Sequence, residues 1–280
     1  MSLVDLHSHS TTSDGLLTPT ELIFRAAAQG IRMFALTDHD DVNGLAEAHR
    51  AAAEVGIVLI DGTEISTTWN NRSIHVVGLR IDPACPALYQ GLAQIRAGRG
   101  ERAARMAASL EAFGISGTLE GAYAYAENEN MIGRAHFARY LVEKGHAKDV
   151  KSVFKKFLVK GKPGYVPHQW AEFDEAIGWI KESGGVPVLA HPGRYDLGRS
   201  NLRALLEAFK DAGGEAIEVV SGSHSREQYA EFAEYAREFD FLASCGSDFH
   251  GPEENYLELG KLPDLPPSCR PVWQDWGIEF

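Results

Sequence analysis

Cysteine is too scarce here to build a disulfide framework. The 280 residues contain only Cys85, Cys245 and Cys269, an odd and widely spaced set that suits a reducing compartment. Long apolar runs are missing too. None approaches the roughly eighteen consecutive apolar residues of a membrane span. The first residues carry no basic segment followed by an apolar one, as a secretory signal would. The expectation is a cytoplasmic protein with no membrane partner and no obligate protein partner. Positive charge is in short supply, with 27 Lys+Arg against 39 Asp+Glu and a net charge of −12. Spread evenly, that balance would exclude a polyanionic ligand. It is not even. Between Gln94 and Tyr165 stand 13 basic residues against 7 acidic ones, a net of +6, which leaves −18 for the remainder. Clustered carboxylates in the remainder suit cations, and the basic segment suits an anion such as phosphate.

What is present is a regular alternation. The chain is 44% hydrophobic, enough to bury a sizeable core. In "TPTELIFRAAAQG", Thr18 is a candidate N-cap, Pro19 opens the helix, Glu21 completes a capping box and Gly30 stops it. The apolar run "IRMFALTDHD" follows, then a helix over about 43–55 and strands at 57–60 and 73–81. In the last third, helices near 172–182, 201–212 and 225–238 lead into "VPVLAHPG", "EAIEVVSGSH" and "FLASCGSDFH". Seven apolar strands, mostly separated by helices, predict a parallel α/β barrel related to the (β/α)8 type. Residues 85–165 show helical patterns and no convincing strand. They read as a basic helical insertion, with 1–84 and 166–280 forming the barrel and the insertion covering its mouth.

Polar residues collect where the apolar strands end. "VDLHSHSTTSDG" supplies His7, His9 and Asp14. His7 and His9 are two apart on a strand and so point the same way. The second strand delivers Asp38 and His39, the third Glu64, and the fourth contains His75. The later strands end on His191, on Ser223 and His224, and on Asp248 and His250. In an α/β barrel these ends share one face, where active sites form. Any one of these residues could cap a turn or sit in a core. A shared metal cluster explains all of them together. Imidazole and carboxylate without thiolate favour manganese, iron or zinc in a catalytic centre over a structural zinc site. Cys245, inside a buried strand, reads as a small core hydrophobe.

The motifs "DLHSHSTTSDG", "TDHD", "GTEIS", "HVVGL", "AHPGRY" and "GSDFH", in this order, resemble those of the PHP (polymerase and histidinol phosphatase) family of metal-dependent phosphoesterases. The resemblance implies a distorted (β/α)7 barrel holding two or three divalent ions. One would be bound by His7, His9, Glu64 and Asp248. A second would be bound by Glu64, His75 and His191, with Glu64 bridging, and a third by Asp14, His39 and His250. Many members carry histidine where this chain has Asp14, so the third position is the one expected to vary. "IGRAHFARYLVEKG" and "GKPGYVPHQW", with "AHPGRY", resemble a bacterial subgroup of 3′,5′-nucleoside bisphosphate phosphatases, some of which also trim short RNA from its 5′ end.

The chemistry expected is in-line attack on phosphorus by a hydroxide shared between two cations, most simply Mn2+, with Fe2+ or Zn2+ as alternatives. Asp248 and His224 are the candidate catalytic residues, His224 as the acid that protonates the leaving oxygen. Substrate contacts are expected from Arg99, Gly100, Glu101 and Arg102, read as a turn entering a helix, and from Arg134, Ser223 and His224. A nucleoside bisphosphate would place one phosphate on the metals and the other on the arginines. Short RNA or DNA oligonucleotides would extend that substrate class. Two alternatives remain at this point: a histidinol-phosphate phosphatase with a different second pocket, and a non-catalytic barrel serving as a structural module.

Overall fold

The computed structural model describes residues 2–252, 254 and 257–278. Its sheet runs from β1 (Val4–Asp5) to β2 (Met33–Leu36) and β3 (Val58–Trp69) as parallel neighbours. β4 (Arg72–Leu79) follows, then β6 (Val186–Leu189), β7 (Ala216–Ser221) and β8 (Leu242–Gly246), while the two-residue β5 (Ala171–Glu172) pairs with the end of β3. The circle nearly closes. Leu6 N–H donates to the Cys245 carbonyl at 2.9 Å and Asp248 N–H to the His7 carbonyl at 2.9 Å, laying the last strand beside the first. Closure leaves few exposed strand edges and brings the loops after the strands to one rim.

One strand departs from the expected parallel order. β4 is antiparallel to both β3 and β6. β3 and β4 are joined by Asn70 and Asn71, at φ +47 and +58, with no helix between them. Two consecutive left-handed residues make the tight turn whose twist matches a hairpin, and asparagine tolerates that backbone. β3 is also twelve residues long, so Glu64 lies within the strand rather than beyond its end. Because β4 runs backwards, His75, near its start, reaches the same rim as residues that follow the other strands.

Around the sheet lie α1 (Pro19–Ala28), α2 (Leu45–Val55), α8 (Phe173–Glu182), α9 (Arg199–Asp211) and α10 (Arg226–Glu238). The Thr18–Glu21 capping box opens α1 as the sequence predicts. The intervening helices are α3 (Pro86–Ala97), α4 (Arg99–Ala112), α5 (Thr118–Tyr123), α6 (Arg134–Glu143) and α7 (Val150–Val153), the last running into a π-helical turn over 154–158. Two hydrophobic clusters divide the chain. Leu88, Leu92 and Ile95 of α3 belong to the barrel's cluster, whereas the second begins at Ala103. Gly91 shows how closely α3 sits on α8: a Cβ there would lie 2.5 Å from the Trp179 ring. Helix α3, expected in the insertion, thus packs with the barrel's cluster, and the second cluster starts beyond Gly98. Among the described residues no helix is long and apolar enough to cross a membrane.

Candidate metal centre and active site

The rim gathers nearly all the side chains the sequence singles out. His7 Nε2 and His9 Nε2 lie 3.2 Å apart. Glu64 Oε2 is 3.3 Å from His7 Nε2 and 3.4 Å from His9 Nε2, and Asp248 Oδ1 is 3.1 Å from His9 Nε2. These four residues form one group whose ligand atoms lie within 4.8 Å of one another. The other Glu64 oxygen meets His75 Nδ1 at 2.8 Å and His191 Nε2 at 2.9 Å. Asp14, His39 and His250 form a further group that His9 joins. His39 spans two groups, since its Nδ1 is 2.8 Å from Glu64 Oε2 while its Nε2 faces Asp14 at 3.9 Å.

This donor set fits divalent metal. Buried polar atoms normally find hydrogen-bond partners. Here His9 Nδ1, Asp14 Oδ1, His39 Nδ1, Glu64 Oε2 and His191 Nδ1 are buried and have none. His39 Nδ1 and Glu64 Oε2 are close but not aligned for a hydrogen bond, as two donors to one ion would be. Electrostatics agree. Burial alone would raise the carboxyl pKa of Glu64, but His75, His39 and His7 outweigh it and hold the group well below its usual range. Burial likewise opposes ionisation of Asp14, yet His250 and His39 keep it ionised. His250, which burial would push down, is held at about 9 by Asp14 and Asp248. Burial, with His250 and His39, drives His9 down to about 3. Glu64 and Asp14 thus stay ionised against imidazolium partners, whose place divalent cations would take.

The supporting structure is specific. Glu218, from the middle of β7, accepts from His7 Nδ1 at 2.6 Å and from the His191 N–H at 2.7 Å. The first contact turns the other His7 nitrogen, as a lone pair, toward the cluster. Gly246 leaves room for this ring, since a Cβ there would come within 2.2 Å of His7 Cβ. His191 and Asp248 occupy left-handed backbone at φ +30 and +55. Each such residue costs on the order of 1–3 kcal/mol, strain that gathers at functional sites. Asp38 serves the loop: it accepts from Ser10 N–H, Ser10 Oγ and Ser13 Oγ, each at 2.7 Å. Arg139 of α6 grips Glu254 at 2.8 Å and donates to the Asp14 carbonyl, tying the insertion to the loop that bears Asp14.

A cavity of about 460 Å³ opens from this cluster. Its far wall holds Arg99, Arg102, Arg134, Ser66 and Trp170, and its apolar side holds Phe154 and Val159. Arg99 contacts the buried Asp40 carboxylate, which also accepts from Ser66 N–H at 2.7 Å. Arg102 is 6% exposed, its Nε has no partner, and its guanidinium lies 5.0 Å from the Trp170 ring centre. Burial, with Arg134 and Arg99 nearby, lowers its pKa to about 9. Arg134 lies over Phe154 at 5.6 Å. Burial between such cations is costly without an anion.

A PHP domain profile matches residues 5–244. The chain belongs to the PHP family. A 3′,5′-nucleoside bisphosphate phosphatase from Chromobacterium violaceum is 54% identical over 275 residues, covering 98% of this chain and 96% of that protein. The 5′-3′ exoribonuclease Rnm of Escherichia coli is 44% identical over 276 residues, covering 98% and 94%. Among solved structures, an amidohydrolase from Chromobacterium violaceum with bound sulfate and no metal superposes with a TM-score of 0.95 at 54% identity, over 97% of this chain and 95% of that one.

Within this PHP barrel several expected contacts fall elsewhere. His224 is not at the cavity. Its Nδ1 donates to the Val219 carbonyl at 3.1 Å, its Nε2 accepts from the Gly193 N–H at 3.0 Å, and its ring stacks on Phe232 at 4.8 Å. Both nitrogens are committed to the backbone, so neither the acid role nor a substrate contact fits it. Glu101 points away, with its side chain 80% exposed. Gly100 is not among the lining residues, and the expected turn shrinks to Gly98 alone, with helical φ −82. Ser223 does line the mouth. Glu218, Arg194, Asp40 and Trp170 escaped the sequence reading. Glu218 left a usable signal: an acid inside the buried run "AIEVVS" must have a buried partner.

Two expected results follow from these contacts. Glu218→Gln should weaken metal binding by about 10- to 100-fold, the usual cost of losing a carboxylate behind a ligating imidazole. Titration with chelator-buffered metal measures it, and an unchanged affinity would remove Glu218 from this role. Burial holds His224 at about 4, below its ordinary value of 6.5. Its contribution to stability is therefore complete above pH 6.5 and is lost as pH falls toward 4, up to about 3 kcal/mol. His224→Gln keeps an uncharged acceptor for Gly193. The difference between wild type and variant in chelator-treated unfolding curves should shrink across that window, and a constant difference would contradict the assignment.

Proposed function

We propose that this protein is a metal-dependent phosphomonoesterase that removes the 3′-phosphate of nucleoside 3′,5′-bisphosphates and leaves nucleoside 5′-phosphates. One observation carries the reading. A single cavity joins an imidazole–carboxylate cluster to Arg102 and Arg134, for which no carboxylate partner is found among the described residues. A substrate with two phosphates satisfies both ends. His7, His9, Glu64 and Asp248 would hold one ion, and Glu64 with His75, His191 and His39 a second. Asp14, His39 and His250 would hold a third, with His9 beside it. Divalent ions at these positions, manganese first, neutralise phosphoryl charge and make water more acidic.

The chain's own residues then position the substrate. Arg102 and Arg134 take the 5′-phosphate, Arg134 from the start of α6. Asp40 fixes Arg99, so that residue shapes the wall and adds less free charge. Trp170 backs both Arg99 and Arg102 at 5.0 Å and keeps their planes in place. Arg194 donates to Asp248 at 2.6 Å and lines the cavity, where it can also meet a phosphoryl oxygen. Ser223 can do the same from the mouth.

A 5′-phosphorylated oligonucleotide fits the same register. Its 5′-phosphate occupies the arginines, and its first internucleotide phosphate lies where the 3′-phosphate of the bisphosphate would. Histidinol phosphate lacks a second anion and leaves Arg102 and Arg134 uncompensated. Phosphate release with added Mn2+ tests the reading across nucleoside 3′,5′-bisphosphates, nucleoside monophosphates and histidinol phosphate. The bisphosphates should have the highest kcat/KM, with a nucleoside 5′-phosphate as product. A higher value for histidinol phosphate, or a nucleoside 3′-phosphate as product, would overturn it.

A further inference from the structure

The insertion carries charge that the cavity does not use. Residues 148–162 contain six lysines and one acid in a protein of net charge −12, and of the six Lys151 lines the cavity. Lys148 pairs with Asp149 at 3.6 Å. Lys155, Lys156, Lys160 and Lys162 are exposed, and no ion pair involves them among the described residues. Interleaved with them, Phe154 and Val159 line the cavity, so the lysines flank residues of its wall in the sequence. Phe157 lies on the same turn. Its ring meets Phe113 edge-on with centroids 6.3 Å apart, and His146 at 6.4 Å. Phe113 is 60% exposed, the most exposed large hydrophobic side chain among the described residues. Uncompensated cations beside an exposed ring, Phe113, backed by the half-buried Phe157 are the two components of a surface for single-stranded nucleic acid: the charges follow the backbone, and the exposed ring accepts the face of any base.

We propose that the face formed by residues 154–162 and Phe113 binds the nucleotides downstream of the scissile linkage in a 5′-phosphorylated single strand. The proposal rests on the function argued above, because there the 3′-phosphoryl group sits at the cluster and the rest of the strand must leave through the mouth. Lysines meet successive phosphates, and the Phe113–Phe157 pair stacks on a base. Both contacts are indifferent to base identity, so binding depends on length and salt rather than on sequence.

The test uses a 12-nucleotide RNA with a 5′-phosphate, phosphorothioate linkages that resist cleavage, and a 3′ fluorophore. Anisotropy gives its affinity across a salt series, and hydrolysis of a nucleoside 3′,5′-bisphosphate reports on the cavity. In a variant carrying K155Q, K156Q, K160Q and K162Q, kcat/KM for the bisphosphate should stay within about twofold. Affinity for the 12-mer should fall at least tenfold at low salt, and the slope of log K against log salt should become shallower by about 2 to 3, from roughly 0.7 per lost phosphate contact. Phe113→Ala should weaken binding by about five- to tenfold or more at an unchanged slope. An unchanged slope in the lysine variant would assign those residues to solubility alone and overturn the proposal. So would an equal loss on the bisphosphate, which would place them in the cavity. A wild type that binds the 12-mer no better than a dinucleotide would overturn it as well. Failure to hydrolyse any bisphosphate would instead strike the underlying function, and the binding series would still read the surface.

Discussion

Glu64→Gln should leave a folded protein that has lost at least one equivalent of bound metal and turns over more slowly by on the order of 10³-fold. Its carboxylate lies within 3.4 Å of five candidate ligand histidines: His7, His9, His39, His75 and His191. One of its oxygens faces His75 at 2.8 Å and His191 at 2.9 Å, and the other faces His39 at 2.8 Å and His7 at 3.3 Å. An amide keeps the size but loses the charge, and its NH2 turns a donor toward nitrogens that need to act as lone pairs. Metal analysis, circular dichroism and phosphate release together separate loss of the centre from loss of the fold. Full metal content with activity within tenfold of wild type would show that Glu64 does not bridge.

Arg134→Ala should lower kcat/KM for a nucleoside 3′,5′-bisphosphate by about 10- to 100-fold, the scale of a lost charge-assisted contact. It should affect a substrate without a 5′-phosphate far less. Arg134 suits the experiment better than Arg99, whose removal would also strand the buried Asp40 carboxylate. The contrast between substrates is the decisive quantity. Equal losses on both would mean that Arg134 supports the metal centre or the start of α6 and not the second phosphate.

Much of the candidate centre was legible because its residues obey a positional rule. His7, His9, His39, His191, Asp248 and His250 each follow an apolar strand, and a barrel brings such positions to one rim. Helix α1 was legible because capping is local chemistry. What the sequence hid depends on contacts between distant segments. The Arg99–Asp40 pair joins residues 59 apart and has no local signature. His224 follows a strand just as His191 does. Only the Val219 carbonyl and the Gly193 amide, each committed to one of its ring nitrogens, distinguish a backbone clamp from a ligand. The reversal of β4 lay in the pair Asn70–Asn71, a turn signal overlooked beside the stronger alternation of strand and helix. Helix α3 has an apolar face whichever unit it packs against, and only the close approach of Gly91 to Trp179 decides.

The position of α3 on the barrel has a practical meaning for recombination. The candidate metal rim and most of the arginine-bearing cavity wall come from separately packed units, and the seam between them falls near Gly98 and again near Val166. A chimera that exchanges residues 99–165 with those of a relative keeps α3 seated on α8 and leaves the barrel core intact. One cut at residue 85 removes Leu88, Leu92 and Ile95 from that core. Trp170 stays with the barrel while the arginines it backs travel with the insert. Wall and backing would then have to be chosen as a matched pair, and a domain swap guided only by the helical boundary in the sequence would separate them.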